Sequence, residues 1–135
     1  MLNRVDDLLK NNETFAFETT LSTKSYKHKI EKAKLKVYTV TLLFFWLASV
    51  ELAKERVKNR VAEGGHDIEP DVIERRYYRG LKNLFDIYLP IVDGAFIFDN
   101  SLGLHELIAQ KTIGNKLEVL DASKFNEIKK CYEHN

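Results

Sequence analysis

The chain has 135 residues, of which 44% are hydrophobic and 30% are charged, and this composition suits one folded domain better than two domains or a disordered chain. Because 21 basic side chains face 20 acidic ones, the net charge of +1 excludes a nucleic-acid binder that relies on overall charge. The single cysteine excludes an internal disulfide framework and a multi-cysteine zinc site. Together these features are typical of a cytoplasmic protein.

The hydrophobic pattern predicts alternating helices and strands along the chain. It predicts the end of a helix at residues 2–11, a strand at 15–19, and a lysine-rich helix that begins at Ser22, Thr23 or Ser25 and ends at Lys36. A strand at 38–46 follows, and then a helix that is capped by Ser49 and ended by Gly64-Gly65. The next helices run from Pro70 to Arg79 and from Leu81 to Val92, with a break at Gly80. A strand at 95–98, a hairpin of 107–111 and 117–120, and a helix at 123–132 complete the order. This order favours an α/β fold with a mostly parallel sheet.

The strongest apolar run, residues 40–50, is too short to cross a bilayer as a helix. Its β-branched and aromatic residues instead predict a strand that is buried on both faces, as in parallel sheets covered by helices on each side. We therefore expect no membrane-spanning segment.

Ligands of parallel sheets bind beyond the carboxyl ends of the strands, and three polar segments lie at such ends. They are Glu18-Thr19-Thr20, the segment after Trp46, and Asp99-Asn100-Ser101. Polar residues also end many strands that bind nothing, so each segment by itself leaves both interpretations open.

Arginines are concentrated in the two predicted helices on either side of Gly64-Gly65. They are Arg56 and Arg60 in the first helix, and Arg75, Arg76 and Arg79 in the second. Pairs four residues apart share a helical face, and the glycines permit a sharp connection. Because a guanidinium group binds phosphate oxygens through two parallel hydrogen bonds, this pattern suits a lid that closes over phosphates. A solvated helical hairpin with Glu–Arg pairs is the alternative.

Three stretches, in this order, resemble the zeta-toxin family of P-loop kinases. They are residues 15–22 (Phe-Ala-Phe-Glu-Thr-Thr-Leu-Ser), the run from Arg56 to Arg79 with its Gly64-Gly65-His66 and Arg75-Arg76-Tyr77, and residues 98–101 (Phe-Asp-Asn-Ser). The resemblance extends to about residue 110. It implies a kinase that uses ATP and Mg²⁺ to phosphorylate a sugar hydroxyl of UDP-N-acetylglucosamine, a partial P-loop-kinase-like parallel sheet flanked by helices, and an antitoxin protein as a candidate partner.

The resemblance also implies roles for individual residues. In a lid spanning residues 56–79, the phosphate-stabilising catalytic residues are Arg60, Arg75, Arg76 and Arg79, while Glu18, Thr19 and Thr20 fall on the sugar-nucleotide side and Asn100 falls near the adenine pocket. His66, in the lid loop, is interpreted as a local hydrogen-bonding residue. The four histidines have no metal-ligand spacing, so no metal site is predicted.

The chain departs from the family at its most diagnostic motif. None of the six glycines begins a Gly-x-x-x-x-Gly-Lys-Ser/Thr loop, and the family's catalytic aspartate has no counterpart. The chain therefore resembles the C-terminal portion of such a kinase, with residues 1–104 as a truncated core and 105–135 as a C-terminal hairpin and helix in a single domain. Val37 stands where the family usually has glycine, so the turn there must differ or be strained.

These departures set the functional expectations. We expect no kinase activity and no tight cofactor binding from this chain alone; the alternative is a non-catalytic nucleotide- or anion-binding module that oligomerises. The lysines of residues 24–36 are interpreted as a solvated helix face, and no nucleic-acid partner is predicted. The family's central strand, which would lie between the strands at 15–19 and 38–46, is missing, and the resulting apolar edge predicts a homo-oligomer.

Overall fold

A computed structural model describes Ala16 and residues 21–133 of the chain. The predicted helix at 2–11 and nearly all of the predicted strand at 15–19 lie outside the described residues. The described elements form a mixed α/β fold, in which one four-stranded sheet is flanked by helices.

The elements appear in the predicted order. They are α1 (Tyr26–Leu35), β1 (Thr41–Trp46), α2 (Val50–Ala62), α3 (Pro70–Asn83), a π-helical segment (Leu84–Tyr88), α4 (Leu89–Ile91), β2 (Gly94–Asp99), β3 (Glu106–Lys111), β4 (Glu118–Val119) and α5 (Ala122–Tyr132). No described helix is both long and apolar enough to cross a bilayer.

The sheet is mixed rather than mostly parallel. Its strands lie in the order β1-β2-β3-β4, and only β1 and β2 run parallel, with Thr41 opposite Gly94 and Trp46 opposite Asp99. The predicted C-terminal hairpin is confirmed, and its strands β3 and β4 continue the same sheet, with β3 antiparallel to both β2 and β4. Short loops join β2 to β3 and β3 to β4, and short loops connect antiparallel strands only.

The hydrophobic core lies between one face of the sheet and the helices α3 and α5. The largest side chains with almost no exposed surface are Trp46, Leu81, Leu84, Tyr88, Ile97, Ile108 and Ile128. These side chains come from β1, α3, the π-helical segment, β2, β3 and α5, so one core joins these six elements.

The prediction that β1 is buried on both faces is wrong. Trp46 is 1% exposed on the core side, whereas Leu43 is 54% exposed and Phe45 is 44% exposed on the other side. Successive side chains of a strand point to opposite faces, and the helices that contribute to the core cover only one of them. The apolar run therefore does not establish that both faces are covered.

The predicted helix ends are found at α2 and α3. The Ser49 hydroxyl oxygen accepts a hydrogen bond from the Leu52 amide at 3.2 Å, and Pro70 begins α3. The predicted break at Gly80 is wrong, since Gly80 is buried inside α3 and the helix continues through it. The apolar stripe of α3 continues without interruption past this glycine, so packing against the core outweighs the low helix propensity of glycine.

Candidate functional site

A pocket of about 160 Å³ lies beyond the carboxyl ends of β1 and β2. Its lining residues are Leu47, Leu52, Glu55, Arg56, Asn59 and Ser101. Leu47 follows β1 and Ser101 follows β2, while the other four occupy α2 at a spacing that places them on one helical face. The pocket therefore occupies the place where sheets of this kind bind ligands.

Arg56 joins α2 to the loop that follows β2. One of its terminal guanidinium nitrogens donates a hydrogen bond to the Asn100 backbone oxygen at 2.9 Å, and the Asn100 amide donates to the Trp46 oxygen at 2.8 Å. Because a guanidinium group has five N–H donors, this contact leaves further donors of Arg56 for a ligand. The neighbouring Glu55 supplies a carboxylate to the same lining.

Asp99 fixes the loop on the other side of the pocket. Its carboxylate accepts hydrogen bonds from the Ser101 amide at 2.9 Å and the Ser101 hydroxyl at 2.5 Å, and pairs with the Lys124 ammonium at 2.9 Å. The Ser101 hydroxyl oxygen in turn accepts a hydrogen bond from the Ala48 amide at 2.9 Å. This network connects α5, the end of β2 and the segment after β1.

In this network, the Asp99 carboxylate and the Lys124 ammonium each stabilise the charged form of the other. Burial alone would raise the pKa of Asp99, but the hydrogen bonds from Ser101 and Lys124 outweigh it and hold the pKa below its usual value. The hydrogen bonds from Lys124 to Glu106 and to Asp99 raise the pKa of Lys124. Both groups are therefore charged at neutral pH.

Tyr77 ties α3 to the segment after β1. Its hydroxyl donates to the Leu47 backbone oxygen at 2.6 Å, and the Cys131 sulfur lies 3.7 Å from the same hydroxyl. Burial raises the pKa of Tyr77, and the neighbouring Cys131 raises it further, so the tyrosine stays a neutral donor at physiological pH. Cys131, which is partly buried, thus lies at a contact between α3 and α5.

The residues predicted to form the site are only partly brought together. Asn100 lies at the pocket rim through its backbone oxygen, and Arg60 lies one helical turn beyond Arg56 on the same side of α2. On α3, the side chains of Arg75, Arg76 and Arg79 are exposed and do not line the pocket. Glu18, Thr19 and Thr20 lie outside the described residues.

The Glu–Arg pairs of the solvated-hairpin alternative do not form among the described residues. Within Ala16 and residues 21–133, no ion pair involves Arg60, Arg75, Arg76 or Arg79. The ion pair between α2 and α3 joins instead the Lys54 ammonium and the Glu74 carboxylate at 3.9 Å. Four guanidinium groups thus remain available to an anion.

Sequence reasoning missed Glu55 and Asn59, and it treated Arg56 only as part of the arginine run. The sequence feature that could have identified these residues is the spacing of positions 52, 55, 56 and 59 on a helix that begins just after an apolar strand. That spacing places mixed polar and apolar side chains on one face at the edge of the sheet. In the described part of the chain, no group of three histidine, cysteine, aspartate or glutamate side chains is placed to hold a metal ion.

Part of the chain is similar to a curated protein. A stretch of 69 residues, 51% of this chain, is 35% identical to an uncharacterised protein of Haemophilus influenzae and covers 49% of that protein. The chain thus matches about half the length of this curated relative. No protein-family model matches the chain, and no solved structure matches it.

Proposed function

We propose that this chain provides the base pocket and the arginine lid of a zeta-toxin-like, ATP-dependent small-molecule kinase, with UDP-N-acetylglucosamine as the candidate acceptor. The observation that carries the proposal is the pocket at the carboxyl ends of β1 and β2, with the arginine-bearing helix α2 as one wall. Parallel strands followed by a helix at such a pocket are the arrangement that P-loop kinases use, and β1 and β2 supply the parallel part.

The chemistry of the pocket suits a nucleobase. Leu47 and Leu52 offer apolar surface for the face of a ring, while Glu55, Arg56 and Asn59 offer acceptors and donors for its edge. A cavity of roughly 150 Å³ holds one benzene ring, so the pocket volume of about 160 Å³ accommodates one ring of a purine and leaves the other ring outside. An ATP molecule bound by its base would extend its phosphates out of the pocket.

The lid arginines suit those phosphates. Arg60 continues the pocket side of α2 by one turn, and the exposed guanidinium groups of α3 have no ion-pair partner among the described residues. In the proposed reaction, these groups neutralise the charge on the phosphoryl group as it is transferred. The described residues offer no carboxylate cluster for Mg²⁺.

Phosphoryl transfer also requires a loop that holds and positions the phosphates, and the sequence has no Gly-x-x-x-x-Gly-Lys-Ser/Thr motif. We therefore propose that this chain alone binds nucleotide without turnover. Transfer of label from ATP to UDP-N-acetylglucosamine by repurified chain, lost in Arg79→Ala, would contradict this.

Isothermal titration with ATP and with inorganic tripolyphosphate tests the base pocket. We expect Asn59→Ala to weaken ATP binding about tenfold, the equivalent of one good hydrogen bond in the pocket, and to leave tripolyphosphate binding unchanged. Arg60→Ala should weaken binding of both ligands, because the proposal assigns its guanidinium group to the phosphates, which both ligands carry. Lys58→Ala is the matched control, since it removes the same charge from a neighbouring position of α2 outside the pocket lining.

A non-catalytic anion-binding module is the second candidate, and it is favoured by Arg60, Arg75, Arg76 and Arg79, which form no ion pair with any described residue. It predicts equal affinities for ATP and tripolyphosphate and no effect of Asn59→Ala. That result would contradict the base pocket while keeping an anion site.

A further inference from the structure

The outer edge of β1 lacks the features that usually protect the edge of a sheet. Edge strands normally carry a charged residue, a proline or a bulge that prevents another strand from pairing. No charged residue and no proline occurs between Lys36 and Glu51, a stretch that includes all of β1. β2 occupies one edge of β1, and no described residue pairs with the other edge.

The backbone shows which peptide groups this edge presents. The carbonyl oxygens of Val40 and Trp46 point towards β2, because they accept hydrogen bonds from the Gly94 amide at 3.1 Å and the Asn100 amide at 2.8 Å. Peptide directions alternate along a strand, so the N–H and C=O groups of Leu43 and Phe45 point away from β2. An open row of N–H and C=O groups is a template for pairing with another strand.

The side chains of the same two residues form an exposed apolar surface. Leu43 and Phe45 lie on the sheet face opposite the core, and the ring of Phe45 stacks on Phe98 with 5.3 Å between centroids. The ring of His105 also contacts Phe45, with 4.9 Å between centroids, so the exposed Phe45 ring lies in a cluster with Phe98 and His105. The exposed apolar side chains and the outward-pointing peptide groups therefore belong to the same two residues, Leu43 and Phe45.

We propose that β1 pairs in antiparallel fashion with β1 of a second copy of this chain, about a two-fold axis at Phe44. Residues that face each other across antiparallel strands share a face, and this register places Leu43 opposite Phe45 of the second copy. Those are the residues whose peptide groups point outward. The pairing joins two four-stranded sheets into one continuous sheet.

A second copy fits this edge because antiparallel pairing of the strand with itself opposes its outward-pointing residues to each other. The strand Thr41–Trp46 carries no charge, so two copies meet without electrostatic repulsion. The two-fold axis brings Leu43 and Phe45 together as cross-strand pairs on the exposed face, which removes apolar surface from water at the same step that satisfies the peptide groups.

Amide hydrogen exchange of the unmodified chain over a concentration series tests the pairing without a mutation. We expect the amides of Leu43 and Phe45 to exchange slowly at high concentration and quickly after dilution. The amide of Phe44, which points towards β2, serves as the internal reference and should exchange slowly throughout.

Sedimentation equilibrium supplies the second measurement. The wild-type chain should be a dimer, and Leu43→Lys should raise the dimer dissociation constant at least tenfold by placing two like charges beside the axis. Leu35→Lys is the matched control, because Leu35 is 86% exposed on α1 and should leave the dimer unchanged.

Two outcomes would overturn the proposal. One is a monomer at all concentrations with rapid exchange at Leu43 and Phe45. The other is a monomer in which both amides are protected at every concentration, since another part of the same chain would then occupy the edge. Because the exchange experiment uses the wild-type chain, it decides the question even where Leu43→Lys fails to fold.

Discussion

At the C-terminus of α1, Val37 adopts a left-handed backbone with a φ of 67°. The Tyr38 amide donates to the Ala33 oxygen at 3.0 Å and the Val37 amide donates to the Lys34 oxygen at 3.1 Å, the two hydrogen bonds of a Schellman motif. The sequence left open whether the turn differs from that of a glycine or is strained. The structure has the glycine-type turn, so the β-branched side chain is strained.

We predict that Val37→Gly stabilises the protein. Relief of the left-handed strain outweighs the extra freedom of glycine in the unfolded chain, and the free energy of unfolding should rise by about 0.5 to 1 kcal/mol. Little packing is lost, because Val37 is 92% exposed. Urea unfolding measures the change.

Lys36→Gly is the matched control for Val37→Gly. Lys36 has a φ of −94°, which carries no left-handed strain, so glycine at this position should lower the free energy of unfolding. Equal effects of the two substitutions would contradict the strain argument.

Among the elements, α5 and β2 are connected by a partly buried ion pair rather than by apolar contacts alone. The Lys124 ammonium bridges Asp99 at the end of β2 and Glu106 at the start of β3. The Asp99 side chain is 12% exposed, whereas that of Glu106 is 51% exposed. Of the two ion pairs of Lys124, the one with Asp99 should therefore contribute more to the free energy of unfolding, since exposed ion pairs contribute little.

We predict that Asp99→Asn lowers the free energy of unfolding at pH 7 by about 2 kcal/mol, because it weakens charge-assisted hydrogen bonds from Ser101 and Lys124. The folded-state pKa of Asp99 lies below its ordinary value of 3.8, so the contribution is present above that pH and is lost as the pH falls through the folded-state pKa. Urea unfolding between neutral and acidic pH should show the two proteins converging below pH 3.8.

Glu106→Gln is the control for Asp99→Asn, since it alters the exposed arm of the same lysine contact. We expect a loss below about 0.5 kcal/mol at pH 7. A constant difference between wild type and Asp99→Asn at all pH values would contradict the role of the carboxylate charge.

For the whole molecule, the C-terminal hairpin and helix belong to the common core. Phe125 and Ile128 of α5 are buried at 7% and 0% exposure in the same cluster as Trp46 and Leu84. α5 also packs against α3 and β3. We therefore expect residues 105–133 to unfold together with the rest of the domain.

We predict that Ile128→Ala lowers the free energy of unfolding by about 3 kcal/mol through loss of burial and creation of a cavity. The fluorescence of Trp46, the single tryptophan, and far-UV circular dichroism should report the same shifted transition. Ile113→Ala, in the turn between β3 and β4 with 69% exposure, is the control and should change stability little. An unshifted Trp46 transition would mean that the C-terminal segment folds separately.

The sequence by itself determined the local structure wherever a short-range signal decides it. Ser49, Pro70 and the pattern of the C-terminal hairpin predicted their helix and strand ends, because capping and turn chemistry act within a few residues. It also predicted polar segments after β1 and β2, and the pocket lies beside them.

Only the tertiary structure decided which faces are covered and which side chains meet. Burial of one face of β1, the uninterrupted helix at Gly80 and the antiparallel sheet neighbours depend on elements far away in the chain. The contact of Arg56 with Asn100 joins residues 44 positions apart, and that of Tyr77 with Leu47 joins residues 30 apart. Periodicity reports which residues avoid water, but the partner that removes them from water is chosen by the packing of the whole chain.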